Sequence, residues 1–326
     1  MRTNRIDISH KTIFFITGFL ALLWTLFLIR DLILLLFVCV IFVSALAPLV
    51  DRLVKMKFPK PLAIAVVYIL IIAILAAIIT LGLTPITTQT SSLVDKLTMA
   101  INSLSKGPLS QFSIKDQLPN ISSNLLTYTL DIFRSFITAV LVAVITFYIL
   151  LDKERLEARL ARLFQDRENV RGLIKKIEIK LGGWMRGQLM LSLFVAVIIY
   201  VGLSVLGIPY ALPLAIISGL FEVVPIIGPI LSAIPGILIA LTVSPVLALI
   251  VAGLYLIVQQ LESHVLVPQV MKRAVGLNPL VVILAIAIGD RLLGVTGALL
   301  AVPIAVMVQI LMDEYLNGEK EEAPAK

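Results

Sequence analysis

Residues 12–29, 32–50, 62–83, 129–151 and 188–206 are almost unbroken apolar runs. Each is close to the ~20 residues a helix needs to cross a ~30 Å hydrocarbon core. No other feature constrains the fold as strongly, because a chain in lipid must satisfy its backbone N–H and C=O groups internally. Only helices and closed barrels do so. A membrane barrel would alternate apolar and polar residues in segments of ~10, and these runs do not alternate. Composition excludes an ordinary soluble domain. Here 60% of residues are hydrophobic and 14% charged, where soluble domains have about 45–50% and about 25%. The expected class is an all-α polytopic membrane protein.

Only Arg30 and Asp31 separate the first two runs, which therefore read as a tight hairpin. Pro61 opens the third run, a favoured helix start, and Pro85 follows its end. A later run, Val246–Val258, supplies a further full crossing. Ala45-Leu46-Ala47 has the small-x-small pattern of a cleavage site. Pro48 follows directly and the apolar stretch before it is too long for a signal peptide, so these helices are expected to be retained.

Lysine and arginine then set the orientation, because they concentrate in cytoplasmic segments. The N-terminal arm carries Arg2, Arg5 and Lys11; Arg52, Lys55, Lys57 and Lys60 follow the second run; ten more lie between Asp152 and Arg186. Placing these in the cytoplasm with Lys272, Arg273, Lys320 and Lys326 puts 21 of the 27 positive residues inside. Both termini are then cytoplasmic. The bilayer is the expected partner, and the pI near 9.5 needs no nucleic acid to account for it.

Two polar inserts interrupt the pattern. In the outer one, Val94, Leu97, Ile101 and Leu104 recur at helical spacing until Gly107-Pro108 breaks it, so helices lying on the outer face are expected. In the cytoplasmic one, Leu156, Leu160 and Leu163, then Val170, Ile174, Ile177 and Leu181, share one face opposite dense charge. It reads either as an amphipathic linker on anionic lipid or as a subunit contact or gating arm. The chain thus divides into membrane helices (1–84), outer insert (85–128), fourth helix (129–151), basic insert (152–186), C-terminal membrane core (187–313) and charged tail (314–326).

After Leu206 the apolar runs become short and rich in glycine and proline, and two stretches read as one unit used twice. Each opens at a glycine (Gly207, Gly276) with a proline soon after, and carries one acid 14 or 15 residues on (Glu222, Asp290). Pro225, Gly228 and Pro229 follow the first acid; Gly289, Gly294 and Gly297 surround the second. Each unit ends in an apolar arm with proline 13 residues past the acid (Pro235, Pro303), so acids and prolines share an offset of 68 residues. Identity is low, and coincidence is the competing reading. If each unit is a re-entrant hairpin, the Val246 helix between them gives the two copies opposite orientations. That is the inverted repeat many secondary transporters use, with the site at the broken helices. Two full crossings per unit would satisfy the charge pattern equally.

A charge at the bilayer centre costs at least ~2.5–3.5 kcal/mol, so each buried ionisable residue needs a reason. Glu222 and Asp290 read either as a proton, cation or solute site or as structural anchors, with Asp290 neutralising Arg291. Gln259, Gln260, Glu262 and His264 cluster at the end of the Val246 helix as further polar candidates. The row Pro225, Gly228, Pro229, Pro235, Gly289, Gly294, Gly297 and Pro303 marks buried turns, because carbonyls freed by proline are tolerated only where protein or a water-filled cavity satisfies them. Close helix packing at small residues is the alternative.

Enzymatic signatures are missing. The sequence holds no phosphate-binding Gly-x4-Gly-Lys-Ser/Thr loop, no His-Glu-x-x-His and no Gly-x-Ser-x-Gly. Two histidines make a zinc site unexpected, and the single Cys39 reads as packing. Ala287-Ile288-Gly289-Asp290 approaches an intramembrane aspartyl-protease pattern but lacks its first glycine and a Tyr-Asp partner. No catalytic residue, metal or cofactor is expected.

Glu222-Val-Val-Pro225-Ile-Ile-Gly228-Pro229, Gln259-Gln260-Leu-Glu262 with Val267-Pro268, and Gly276-Leu-Asn-Pro279 continuing to Gly297 and Ala-Val-Pro303 resemble the autoinducer-2 exporter family of bacterial membrane proteins. Tyr148-Ile-Leu-Leu-Asp152-Lys-Glu looks like that family's fourth-helix end. The resemblance implies a homo-oligomeric inner-membrane secondary exporter with about eight membrane segments, with a pentamer as one candidate assembly. Its cargo would be a small hydrophilic solute such as the quorum-sensing signal autoinducer-2. The resemblance equally implies sodium or lithium/proton antiport, as in other members. The expected function is proton-coupled export with Glu222 and Asp290 coupling and Glu262, Gln259, Gln260 and Arg291 assisting. A non-transporting membrane scaffold is the reading from another class.

Overall fold

The computed structural model describes residues 10–87, 125–163, 167–224, 227–267, 269 and 276–321. The outer stripe expected at Val94–Leu104 lies outside the described residues, as do Pro225, Pro268, Lys272 and Arg273. Every regular element among the described residues is helical. In chain order these are α1 (His10–Leu28), α2 (Arg30–Lys55), α3 (Lys60–Thr87), α4 (Leu125–Leu163), α5 (Arg167–Val205), α6 (Ala211–Phe221), α7 (Ile227–Leu241), α8 (Pro245–Leu261) with a π turn (Glu262–Leu266), and α9 (Pro279–Glu321). Six helical stretches are long and apolar enough to cross a membrane, within α2, α3, α4, α5, α8 and α9. The protein is a multi-pass membrane protein. Six is short of the expected eight; three further apolar helices, Phe14–Leu28, Ala211–Phe221 and Ile227–Leu241, are shorter.

The outward-facing surface is that of a chain dissolved in lipid. Leu189, Met190, Leu193 and Val197 point out from α5, while Leu191, Val195 and Ile199 point in. Three apolar clusters hold the helices together. One joins α2, α3 and α4 through Val43, Ala47, Ile64, Val67 and Leu150. A second joins α2, α5 and α9 through Ile41, Leu181, Trp184, Ala301 and Val306. The third joins α5, α6, α7 and α8 through Ile199, Leu214, Ala240 and Val251. α5 is common to the last two and is the central post of the molecule.

Two expectations change. The hairpin at Arg30-Asp31 does not form. Ile29 N–H donates to Thr25 and Ile33 N–H donates to Ile29, so the helical ladder continues across the junction. Ile29 alone departs from helical geometry (φ −95°, ψ 10°), and the chain bends instead of reversing. With no glycine or proline there, nothing in the sequence stops the ladder. α1 therefore stands clear of the body, with Phe14, Phe15 and Trp24 exposed. The basic insert is also not a separate element. Its two halves extend α4, which kinks at Asp152 (φ −101°, ψ 15°), and α5. Its charges tie helices together: Lys153 to Glu178, Lys60 to Glu154 and Lys176 to Glu314. On the α5 half Leu181 is buried as the stripe predicts, whereas Leu160 and Leu163 on the α4 half are exposed.

Both glycine- and proline-rich units fold as helical hairpins. α6 and α7 have 11 and 15 residues, about 16 and 22 Å at ~1.5 Å per residue, so each falls short of a ~30 Å core. In α9 the chain turns back at Gly294 (φ 60°, ψ −143°), which brings Gly289 against Gly297 and Ala301. Pro235 and Pro303 lie inside helices that continue through them. The two opening glycines, Gly207 and Gly276, both adopt left-handed φ, +66° and +72°. Each hairpin also closes on one intimate backbone contact, Phe221 with Gly228 and Gly289 with Gly297. These pairs of positions are 68 or 69 residues apart, the spacing read from the sequence.

The backbone at Gly294 is one that glycine alone adopts readily, since at that φ and ψ a Cβ crowds the preceding carbonyl and the following peptide nitrogen. Gly294→Ala is expected to destabilise the protein by about 1–3 kcal/mol. Thermal unfolding in detergent measures this, and an unchanged midpoint would contradict the strained turn.

Candidate functional site

The site forms where the first hairpin's tip meets the end of α8. α6 stops at Phe221 because β-branched Val223 and Val224 precede Pro225, whose ring disfavours helical geometry in the residue before it. Glu222 caps α6, with its N–H donating to the Ser218 carbonyl. Its side chain turns inward and is 1% exposed. At the end of α8 the helix loosens into the π turn. Such turns shift the helical register and recur at functional sites. The shift carries Glu262 inward as the buried residue of that turn, 4% exposed.

The two carboxyl groups face each other within hydrogen-bonding reach. A hydrogen bond between two carboxyls exists only when one of them carries a proton. Neither takes part in an ion pair among the described residues. Each leaves its Oε2 without a hydrogen-bond donor from the protein. The pair is thus two acids, out of water, with no cation to balance them. Like charges so placed repel strongly in a low dielectric.

α5 supplies the third wall. Gln188, 2% exposed, donates from Nε2 to the Glu222 backbone carbonyl at 2.6 Å. One turn on, the Ser192 backbone carbonyl lies against Gly219 of α6, and the Ser192 hydroxyl is buried without a partner. Close by, Ser218 and Tyr255 share a buried hydrogen bond at 3.3 Å. Gly236 makes room for the Tyr255 ring, which a Cβ would strike. Among the described residues no group of three His, Cys, Asp or Glu side chains is arranged to hold a metal ion.

Of the residues singled out from sequence, the structure brings Glu222 and Glu262 together. It does not bring Asp290 to them. Asp290 and Arg291 are exposed near the second hairpin's tip, and no ion pair joins them. Gln259 is half-buried and donates to Ser263 Oγ at 3.4 Å, and Gln260 is exposed. His264 Nδ1 is 3.0 Å from the Gln260 carbonyl, within the helix end itself. Gly228, Gly289 and Gly297 are the close approaches just described, and Pro229 lies in the first turn of α7. Sequence reasoning missed Gln188 and Ser192. Their only signal is polarity one helical turn apart at the start of an apolar run.

The comparisons with known proteins agree with this architecture. The family model described as AI-2E family transporter matches residues 13–317. "Putative transport protein YrrI" of Bacillus subtilis is 32% identical over 59% of this chain and 55% of its own length. "Putative transport protein YueF" of the same bacterium is 30% identical over 80% of this chain and 78% of its own. "AI-2 transport protein TqsA" of Escherichia coli is 25% identical over 87% of this chain and 86% of its own. A match running from α1 through almost all of α9 takes in both hairpins and the carboxyl pair, and this chain belongs to the AI-2E family of transporters.

Proposed function

We propose that the protein is a secondary exporter of a small hydrophilic solute, driven by the proton gradient through Glu222 and Glu262. The observation that carries this is the pair itself: two acids from separate elements, buried together beside a broken helix, with no counter-ion. An intramembrane ionisable residue is by default functional, and secondary transporters bind cargo where helices break. Two facing carboxyls can hold one proton or release it, and cargo can compete for the same oxygens.

In this proposal the two hairpins are re-entrant units of opposite orientation, supported by their matching glycines and tips. The segments 52–60 and 152–186 face the cytoplasm of an inner-membrane protein, which fits one crossing out along α3 and one back along α4. Asp290, Arg291, Gln259 and Gln260 serve as secondary polar contacts. A homo-oligomer is part of the proposal, with the exposed α1 available to neighbouring copies. Autoinducer-2, which the name of one relative carries, is the first cargo to test.

A second reading, sodium or lithium/proton antiport, is favoured by one observation. The unpartnered atoms of the carboxyl pair and Gln188 are all oxygens, the ligands that hard cations take. Proteoliposomes with a trapped pH dye and an imposed pH gradient separate the two. Collapse of the gradient by labelled autoinducer-2, with the label crossing, supports solute export. Collapse by sodium or lithium supports antiport. Correctly inserted protein that answers to neither would leave the scaffold reading.

A further inference from the structure

The inner face of α5 carries three polar side chains a helical turn apart, Trp184, Gln188 and Ser192, and all are directed inward. Each holds a buried polar atom with no partner in the protein: Trp184 Nε1, Gln188 Oε1 and Ser192 Oγ. Trp184 belongs to the apolar cluster shared with α9, whereas Ser192 abuts α6. Gln188 lies between them, at the seam where the two hairpins meet the central post. A buried polar group left unsatisfied costs about 1–3 kcal/mol, so several along one seam demand a polar occupant.

The signs of these atoms say what occupant fits. On the carboxyl pair and the α5 face beside it the unpartnered atoms are Glu222 Oε2, Glu262 Oε2, Gln188 Oε1 and Ser192 Oγ. Gln188 Oε1 can only accept from a ligand, each carboxyl oxygen accepts unless it carries the proton, and Ser192 can do either. Among the residues whose burial is described, no lysine or arginine is buried. An anion entering here would meet acceptors and carboxylates with nothing to pair with. We infer that Gln188 and Ser192 of α5 complete a binding site with Glu222 and Glu262, and that it takes hydrogen-bond-donating ligands that are neutral or cationic and rejects anions.

The inference rests on the transport reading for its purpose, but its chemistry stands alone and can be tested without any cargo. Gln188 is in this scheme a positioning residue as well as a ligand contact. Its Nε2 holds the hairpin tip by the Glu222 carbonyl, which leaves Oε1 buried and free to accept from a ligand.

Cys39 is the single cysteine, so a Cys39→Ala background carries no thiol. Into it goes Ser192→Cys, a near-isosteric change that preserves the fold, with Gln188→Cys as a second variant. Reaction with small cationic and anionic methanethiosulfonates in proteoliposomes then reads the site directly. The cationic reagent is expected to react at least about tenfold faster, since two nearby carboxyls bias local ion concentration. Adding Glu222→Gln and Glu262→Gln should erase that preference. Equal rates for the two reagents in the parent background, or no reaction by either at both positions, would overturn the inference. Labelling as expected from protein that moves nothing would keep the site and remove the transporter reading. Active transport with an unlabelled, unselective site would do the reverse.

Discussion

Glu222→Gln is expected to abolish proton-coupled transport while leaving the fold intact, and Glu262→Gln is expected to match it. Glutamine keeps the shape of a protonated glutamate and offers an N–H to the facing carboxyl, so the buried contact survives. What it cannot do is exchange a proton. The coupled rate should fall about a hundredfold, the lower end of what a positioned proton-transfer group contributes. Combining the two substitutions should cost hardly more than either alone, because one shared function is lost once. Glu222→Ala behaves differently. It opens a cavity and takes the hydrogen-bonding partner from Glu262, so it should lose about 2–3 kcal/mol of stability. Dye-reported proton flux, beside thermal unfolding of each variant, checks all three. Retained coupling in folded Glu222→Gln, or fully additive losses in the double variant, would sink the idea that the two acids act as a pair.

The parts of this molecule legible in the sequence are those set by a single helix or a fixed spacing. The apolar runs announced α2, α3, α4 and α5 because length in lipid is dictated by bilayer thickness. The 68-residue spacing of Glu222 with Asp290 and Pro235 with Pro303 pointed to two hairpins, and the left-handed Gly207 and Gly276 open both. Chemistry that depends on two distant elements meeting was harder to read. Glu222 and Asp290 hold equivalent places in the spacing, yet the former is buried and the latter exposed. What selects Glu262 as the true neighbour of Glu222 is a π turn, and a one-residue shift of register leaves no mark in hydropathy. Gln188 was hidden for another reason. A lone amide at the head of an apolar run looks like an interfacial residue, and only the hairpin tip lying against α5 gives it a partner. The bend at Ile29 shows the converse limit. Two charged residues between apolar runs suggest a reversal, but α-helical hydrogen bonds persist unless a residue forbids them.

Gly228→Ala and Gly297→Ala are expected to disrupt the protein more than any other single-methyl additions. A Cβ on Gly228 would fall on the carbonyl of Phe221, and one on Gly297 on the carbonyl of Gly289. Both obstacles are backbone, which cannot swing aside as the end of a side chain can. The helix must retreat until an ordinary contact of about 3.5 Å returns. That places the cost at about 3 kcal/mol or more, the top of the range for overpacking. At Gly228 the damage reaches the site even in molecules that fold, because the Phe221 carbonyl adjoins Glu222, whose own carbonyl is held by Gln188. Gly253 is the control. It lies in α8 on the same kind of apolar helix, and a methyl group added there would meet nothing within 4 Å. Gly253→Ala should therefore be neutral or stabilise by up to about 1 kcal/mol through helix propensity. Thermal unfolding of the three variants in one detergent gives the comparison directly. Opposite signs for Gly253 and the tip glycines mean that the hairpins close on backbone contact. A Gly228→Ala protein with parental stability and full transport means that the tip is looser than this geometry, and the carboxyl pair is then not held in place by it.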